Sequence, residues 1–134
     1  VYQAGTLSGN PVATACGLAT LKIIQRPGFY ENLGQRTQSL MNGLVDTAKG
    51  CGVELCTDSL GGMFGFFFAN ELPQNYGAVM AKGSERFNRF FHAMLDRGVY
   101  LAPAMYEAGF VSAAHTDDDI ARTLDAAKQA FGEL

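Results

Sequence analysis

Apolar and polar positions along the chain alternate with two different periods, and the changes of period mark the elements. Residues 11–25 are apolar nearly all round, with Ala13, Ala15, Cys16, Leu18, Ala19, Leu21, Ile23 and Ile24 leaving no continuous wet stripe. A helix of that kind is covered on most of its sides, as by a second domain. Pro27 and Gly28 break it. Residues 29–49 predict a second helix with one apolar stripe, Leu33, Leu40, Met41, Leu44 and Ala48, and a wet face carrying Glu31, Gln35, Arg36 and Asp46. Gly50 and Gly52 flank its end, where a left-handed cap residue is common.

The period then shortens. Residues 53–58 and 63–69 read as strands, and the Gly-rich link at 59–62 suggests a hairpin. The second run is apolar on both faces, which predicts a central strand covered above and below. Residues 70–83 read as a long loop. Ser84 is then expected to cap a helix with Phe87, Phe90, Phe91, Met94 and Leu95 on one face, a core-packing stripe, and Gly98 stops it. Short strands are expected at 99–102 and 109–114, around an irregular segment at 103–108. Thr116 and three carboxylates, Asp117, Asp118 and Asp119, open a last helix whose stripe is Ile120, Leu124, Ala127 and Phe131. Adjacent first-turn residues fan out around a helix, so the acidic triplet reads as dipole partners rather than a metal site. This order of elements implies an α+β fold: a small, mostly antiparallel sheet covered by helices.

Composition changes the picture little. A chain of 134 residues, 48% hydrophobic and 17% charged, can bury a single core. With a net charge of −3 and no Lys/Arg cluster, nucleic acid and anionic membranes are not expected partners. The longest apolar run, 63–69, is too short to span a bilayer. Three cysteines, Cys16, Cys51 and Cys56, lack framework spacing, which points to reduced thiols in a cytoplasmic protein and to no zinc site. The chain begins with Val1 rather than an initiator Met, and is expected to be a fragment.

Two segments carry candidate chemistry. In Gly5-Thr6-Leu7-Ser8-Gly9-Asn10-Pro11, Asn10 is a good N-cap and Pro11 suits the first helical position. Two glycines and two hydroxyls precede the cap, and a helix start with exposed N–H groups and a positive dipole end can hold a phosphate or carboxylate. A tight turn ahead of a capped helix is the plainer alternative. The second segment runs from Tyr100 through Pro103, Ala104, Met105, Tyr106, Glu107, Ala108, Gly109 and Phe110 to His115 and Thr116. A glutamate in such an apolar run wants a partner. The glycines at 61, 62 and 65 make no nucleotide-binding fingerprint, because no helix follows them. His92, inside the Phe-rich helix, and His115, ahead of a helix cap, read as structural residues.

In this order, with Gly-Gly-Met-Phe-Gly at 61–65 between them, the two segments resemble the glutamate-1-semialdehyde aminomutases, a family within the class III, fold-type I, pyridoxal-phosphate-dependent aminotransferases. The opening loop carries the wider class; Tyr-Glu-Ala-Gly-Phe, Ala-His-Thr and Gly-Val-Tyr-Leu-Ala-Pro narrow it. The resemblance spans essentially the whole chain and places it in the C-terminal third of such an enzyme. It implies a homodimer that uses pyridoxal or pyridoxamine 5'-phosphate to convert glutamate-1-semialdehyde to 5-aminolevulinate, through a diamino intermediate, in tetrapyrrole synthesis. It also implies that Gly5 and Thr6 bind the cofactor phosphate in the neighbouring subunit's site, and that Glu107 contacts the substrate's amino groups. Residues 1–27 would then be the phosphate loop and connecting helix, and residues 28–134 the small C-terminal domain. The chain departs from the family pattern at Ala104-Met105, where Ser-Gln or similar is expected. The Schiff-base lysine is expected upstream of the opening loop. Lys22, Lys49, Lys82 and Lys128 match no such context, so the fragment alone is expected to be inactive. The competing readings are another class III ω-aminotransferase and a freestanding α+β binding or dimerisation module.

Overall fold

The computed structural model describes Tyr2 and residues 4–134. The first helix, α1 (Pro11–Ile24), starts where Asn10 turns its side chain back to accept the N–H groups of Val12 and Ala13, both at 3.1 Å. No residue of α1 is buried: Val12, Leu18, Leu21 and Ile23 stand open to solvent. The covering expected for this helix is not supplied by the rest of the described chain.

The second helix, α2 (Phe29–Gly50), buries Thr37, Leu40, Met41, Leu44 and Ala48, with Leu33 partly covered. Thr37 is buried without cost because its hydroxyl donates to the Leu33 carbonyl at 2.9 Å. Gly52 ends the helix as expected, at φ 73°: its N–H donates to Lys49 and the Val53 N–H to Ala48, the paired bonds of a Schellman cap. Strands β1 (Cys56–Leu60) and β2 (Met63–Phe67) form an antiparallel hairpin, and β2 also pairs with β3 (Gly109–Phe110), so the sheet order is β1-β2-β3. The hairpin link is shorter than expected. It is Gly61-Gly62 alone, with Gly61 at φ 57°, a value that a two-residue turn assigns to glycine.

Strand β2 is central, but it is not covered on both faces. Phe64 and Phe66 point into the core, whereas Met63, aligned with Leu60 and Phe110 across the sheet, is exposed along with both. Phe64 lies over its register partner Gly109, where any β-carbon would overlap its ring. The loop expected at 70–83 contains a one-turn helix, α3 (Tyr76–Met80), nucleated by Asn75, whose side chain accepts the Ala78 N–H at 2.9 Å.

Helix α4 (Glu85–Asp96) presents Phe87, Phe90, Phe91 and Met94 inward, with Ala93 beside them. Leu95, expected in that stripe, is exposed. Ser84 occupies the N-cap without a side-chain hydrogen bond, because its αR backbone turns the hydroxyl away from the capping position. No strand forms at 99–102. The Val99 N–H is already used by the Met94 carbonyl at 3.0 Å, closing a second Schellman cap at Gly98, and no strand lies alongside to build a ladder. The strand expected at 109–114 is likewise cut to two residues. Beyond it the chain turns back on itself, the His115 N–H donating to the Ser112 carbonyl.

Helix α5 (Asp117–Phe131) packs along α2. Gly43 permits the approach, since a β-carbon there would come within 2.5 Å of Leu124 Cδ1. Its start is a capping box: Asp119 N–H donates to Thr116 Oγ1 at 3.2 Å, and Thr116 N–H donates to Asp119 Oδ2 at 2.7 Å. The Thr116 N–H and hydroxyl together hold the Asp119 carboxyl below the usual carboxylate range. A depressed folded value means that this contribution is present above the unfolded carboxyl range, about pH 4, and is lost as pH falls through the lowered folded value. Thr116→Ala is therefore expected to move the Asp119 titration midpoint upward, read by side-chain carboxyl NMR. A midpoint that stays put would mean that the Thr116 hydroxyl does not hold the carboxylate.

The core lies where the inner face of the sheet meets α2, α4 and α5. Its centre is aromatic: Phe90 stacks on Phe131 at a centroid distance of 4.6 Å, Phe66 and Phe68 lie edge-on to Phe90, and Phe87 stacks on Phe66 in turn. The architecture is the α+β arrangement expected, with three antiparallel strands backed by helices.

Candidate cofactor and substrate site

The opening loop folds as a compact turn. The Ser8 N–H donates to Gly5 and the Asn10 N–H to Leu7, both at 3.0 Å. At Gly5 a β-carbon would sit 2.9 Å from Ser8 Oγ, so any side chain there would make the serine hydroxyl rotate away, and Gly9 has a left-handed φ of 76°. The anion-binding capacity lies elsewhere than the sequence suggests. Pro11 has no N–H, and Asn10 consumes those of Val12 and Ala13, so the first turn of α1 offers no free donor there. What remains is the turn ahead of it. Among the described residues, the hydroxyl of Thr6 has no hydrogen-bond partner, and Thr6 is exposed at the positive end of the α1 dipole. A hydroxyl and solvated backbone N–H groups in that position fit a phosphate dianion.

Glu107 sits on the second segment, in a turn that its own N–H closes by donating to Ala104 at 3.1 Å. The expectation that it needs a partner is not met. Glu107 is exposed, and the ion pairs among the described residues, Arg36–Asp117 and Arg97–Glu133, do not include it. An exposed carboxylate is solvated and pays no desolvation penalty. Glu107 lines two hollows, an apolar cavity of about 410 Å³ and an open groove of about 260 Å³ over the outer face of the sheet. Neither contains Gly5 or Thr6, so the chain does not bring its two candidate segments into one pocket.

Sequence reading missed Asp58, which β1 places on the outer face with the groove that Glu107 lines, while Ser59 beside it turns to the helix side and donates to Gln38 Oε1 at 3.3 Å. The strand's alternation is weak, and only the register, Asp58 opposite Gly65 and Ser59 opposite Phe64, shows which face each occupies. His115 has the supporting role expected of it: Nδ1 accepts the Ser112 N–H at 2.8 Å. His92 is exposed on α4, with its ring edge-on to Phe91. Lys22, Lys49, Lys82 and Lys128 are all exposed. The three cysteines are free thiols; burial pushes the Cys56 thiol up, away from the reactive thiolate. Among the described residues there is no His/Cys/Asp/Glu cluster that could hold a metal ion, and no helix is long and apolar enough to cross a membrane.

Residues 2–131 match the family described as aminotransferase class-III, and the chain belongs to that family. Within it, the chain is 68% identical over 131 residues to the glutamate-1-semialdehyde 2,1-aminomutase of Polaromonas naphthalenivorans (strain CJ2), a match covering 98% of this chain and 30% of that relative. The chain thus spans about a third of the length of such relatives. The fold is shared with an omega-transaminase from Sphaerobacter thermophilus, at a TM-score of 0.84 and 22% identity over 98% of this chain and 30% of that one. It is also similar to the FumI protein of Sphingopyxis sp. MTA144, solved in its PLP internal aldimine form, at a TM-score of 0.78 and 29% identity over 99% of this chain and 29% of that one.

Proposed function

We propose that this chain is the C-terminal portion of a pyridoxal-phosphate-dependent aminomutase that converts glutamate-1-semialdehyde to 5-aminolevulinate. The observation that carries this reading is the 68% identity, over nearly the whole chain, to an enzyme of that name. Residues 1–27 form the phosphate loop and connecting helix, and residues 28–134 form the small domain. The open apolar surface of α1 supports that division and counts against a freestanding module, which would close its own core.

When bound, pyridoxal phosphate supplies an electron sink and a carrier for the amino group. The residues of this chain act around it. Gly5 gives close backbone access, and the Thr6 hydroxyl donates to a phosphate oxygen in the neighbouring subunit's site. The separation of Thr6 from the hollows beside Glu107 is what a shared, two-subunit site requires. Glu107 accepts hydrogen bonds from the substrate's ammonium groups and orients them. The Schiff-base lysine is supplied by residues upstream of this chain, and the enzyme works as a cytoplasmic homodimer.

The test is turnover of glutamate-1-semialdehyde by the intact enzyme, with formation of 5-aminolevulinate measured directly. No product from this substrate, with transamination of an ω-amino acid instead, would transfer the chain to the ω-aminotransferases. In the same assay Glu107→Gln is expected to slow turnover by a larger factor than it changes cofactor retention. Kinetics equal to the unaltered enzyme would leave Glu107 with a scaffolding role alone.

A further inference from the structure

The outward positions of the sheet do not carry the residues of a wetted face. Leu60, Met63 and Phe110 stand side by side across the three strands, on the side away from the helices, with Cys56 and Phe67 paired further along. An antiparallel sheet that leaves one face in water reads polar at its outward positions. Here Asp58 is the one charged side chain among them. Leu60 is 78% exposed, Met63 41% and Phe110 69%, so among the described residues this row has no cover. Single exposed apolar residues are ordinary, but a contiguous row of them marks a contact surface.

We propose that the outer face of the sheet is a docking surface, and that its occupant is the remainder of the same polypeptide, the part that bears the Schiff-base lysine. This rests on the reading of the chain as a portion of that longer enzyme. Two observations choose the occupant. The match to the Polaromonas naphthalenivorans relative covers 98% of this chain but 30% of that one, so the larger part of such an enzyme has to be seated against the chain. The second is Glu107, which lines the groove over this same face. A carboxylate that meets the substrate has to look towards the body that carries the lysine. Thr6, which serves the neighbouring subunit's site, lines neither hollow beside Glu107, so the outer face turns to the chain's own subunit. Burying the row takes apolar surface out of water. Asp58 lines the groove, where solvent or substrate meets it rather than the body.

The test labels thiols in the intact enzyme with its cofactor bound. Leu60→Cys and Phe110→Cys are each compared with Asp46→Cys, on the exposed side of α2, for the rate of alkylation by iodoacetamide, read by mass spectrometry of the labelled peptide. The two outer-face thiols are expected to react on the order of a hundredfold more slowly in the native enzyme, and at the control's rate in urea. Native rates equal to the control would overturn the docking. Where a variant fails to fold, the unaltered enzyme carries the comparison. Met63 and Met80 are 41% and 47% exposed in this chain, so slower peroxide oxidation of Met63 supports the docking and equal rates overturn it. Protection that disappears on dilution to folded monomers would give the face to the neighbouring subunit and overturn the occupant. Labelling reads burial rather than turnover. An enzyme that makes no 5-aminolevulinate, yet protects Leu60→Cys and Phe110→Cys, would overturn the proposed reaction and leave the docking standing.

Discussion

Phe90→Ala is expected to destabilise the fold by about 3–5 kcal/mol, the range for deleting a fully buried aromatic ring. Phe90 is 1% exposed and lies at the middle of the aromatic core, stacked on Phe131 and edge-on to Phe66 and Phe68. Three elements meet there, α4, α5 and the end of β2, so no single side chain can swing in to fill the space. The loss combines transfer free energy with a cavity term, because close-packed surroundings relax only in part. A domain of this size is typically stable by about 5–15 kcal/mol, so the variant approaches the unfolding threshold. Urea unfolding of the chain, followed by far-UV circular dichroism, measures the change. A shift in the midpoint equivalent to less than about 1 kcal/mol would mean that the aromatic cluster does not organise the core.

The second large effect concerns the cofactor. Thr6→Val in the intact enzyme is expected to weaken retention of pyridoxal phosphate by about 1.5–3 kcal/mol, roughly ten- to hundredfold in dissociation constant. That is the scale for one hydrogen bond to a charged group. The fold should not change, because the turn is closed by backbone bonds from Ser8 to Gly5 and from Asn10 to Leu7, neither of which uses the Thr6 side chain. Thr6→Ser keeps the hydroxyl and is expected to restore most of the affinity. Retention unaltered by valine would remove Thr6 from the phosphate site.

Much of the secondary structure was legible because it rests on local rules. The stripes of α2, α4 and α5 follow helical spacing: of the expected members Leu95 is exposed and Leu33, Ile120 and Leu124 are only partly covered, while Thr37, Ala93, Ala126 and Ala130 are buried beside the rest. The caps at Asn10 and Thr116, and the stops at Gly52 and Gly98, depend on the residue itself and its immediate neighbours. The misreadings fall where a strand needs a partner. Residues 99–102 and 112–114 have suitable composition, yet no ladder is available to them, and a strand exists only in pairing. The short helix α3 was hidden because a single turn held by one Asn75 cap has too little periodicity to detect.

The same division runs through the site. The residue types of the opening loop and of Tyr-Glu-Ala-Gly-Phe were readable in one dimension, since turn chemistry and motif are local. Which donors of the loop are used up was not readable, because Asn10 satisfies Val12 and Ala13 only once its side chain has folded back. The company Glu107 keeps was also hidden. Asp58 is distant in sequence, and the hairpin register decides that it lies on the face of the same groove.

By itself, then, the order of residues determined the four longer helices, most of their buried faces, the caps at Asn10 and Thr116 and the α+β class, because each follows from periodicity and from hydrogen bonds within a few residues. Only the tertiary structure decided the extent of the sheet, the exposure of α1 and of the outer face of β2, and the hollows beside Glu107. Those depend on contacts between segments far apart in the chain, whose register and packing no local pattern records.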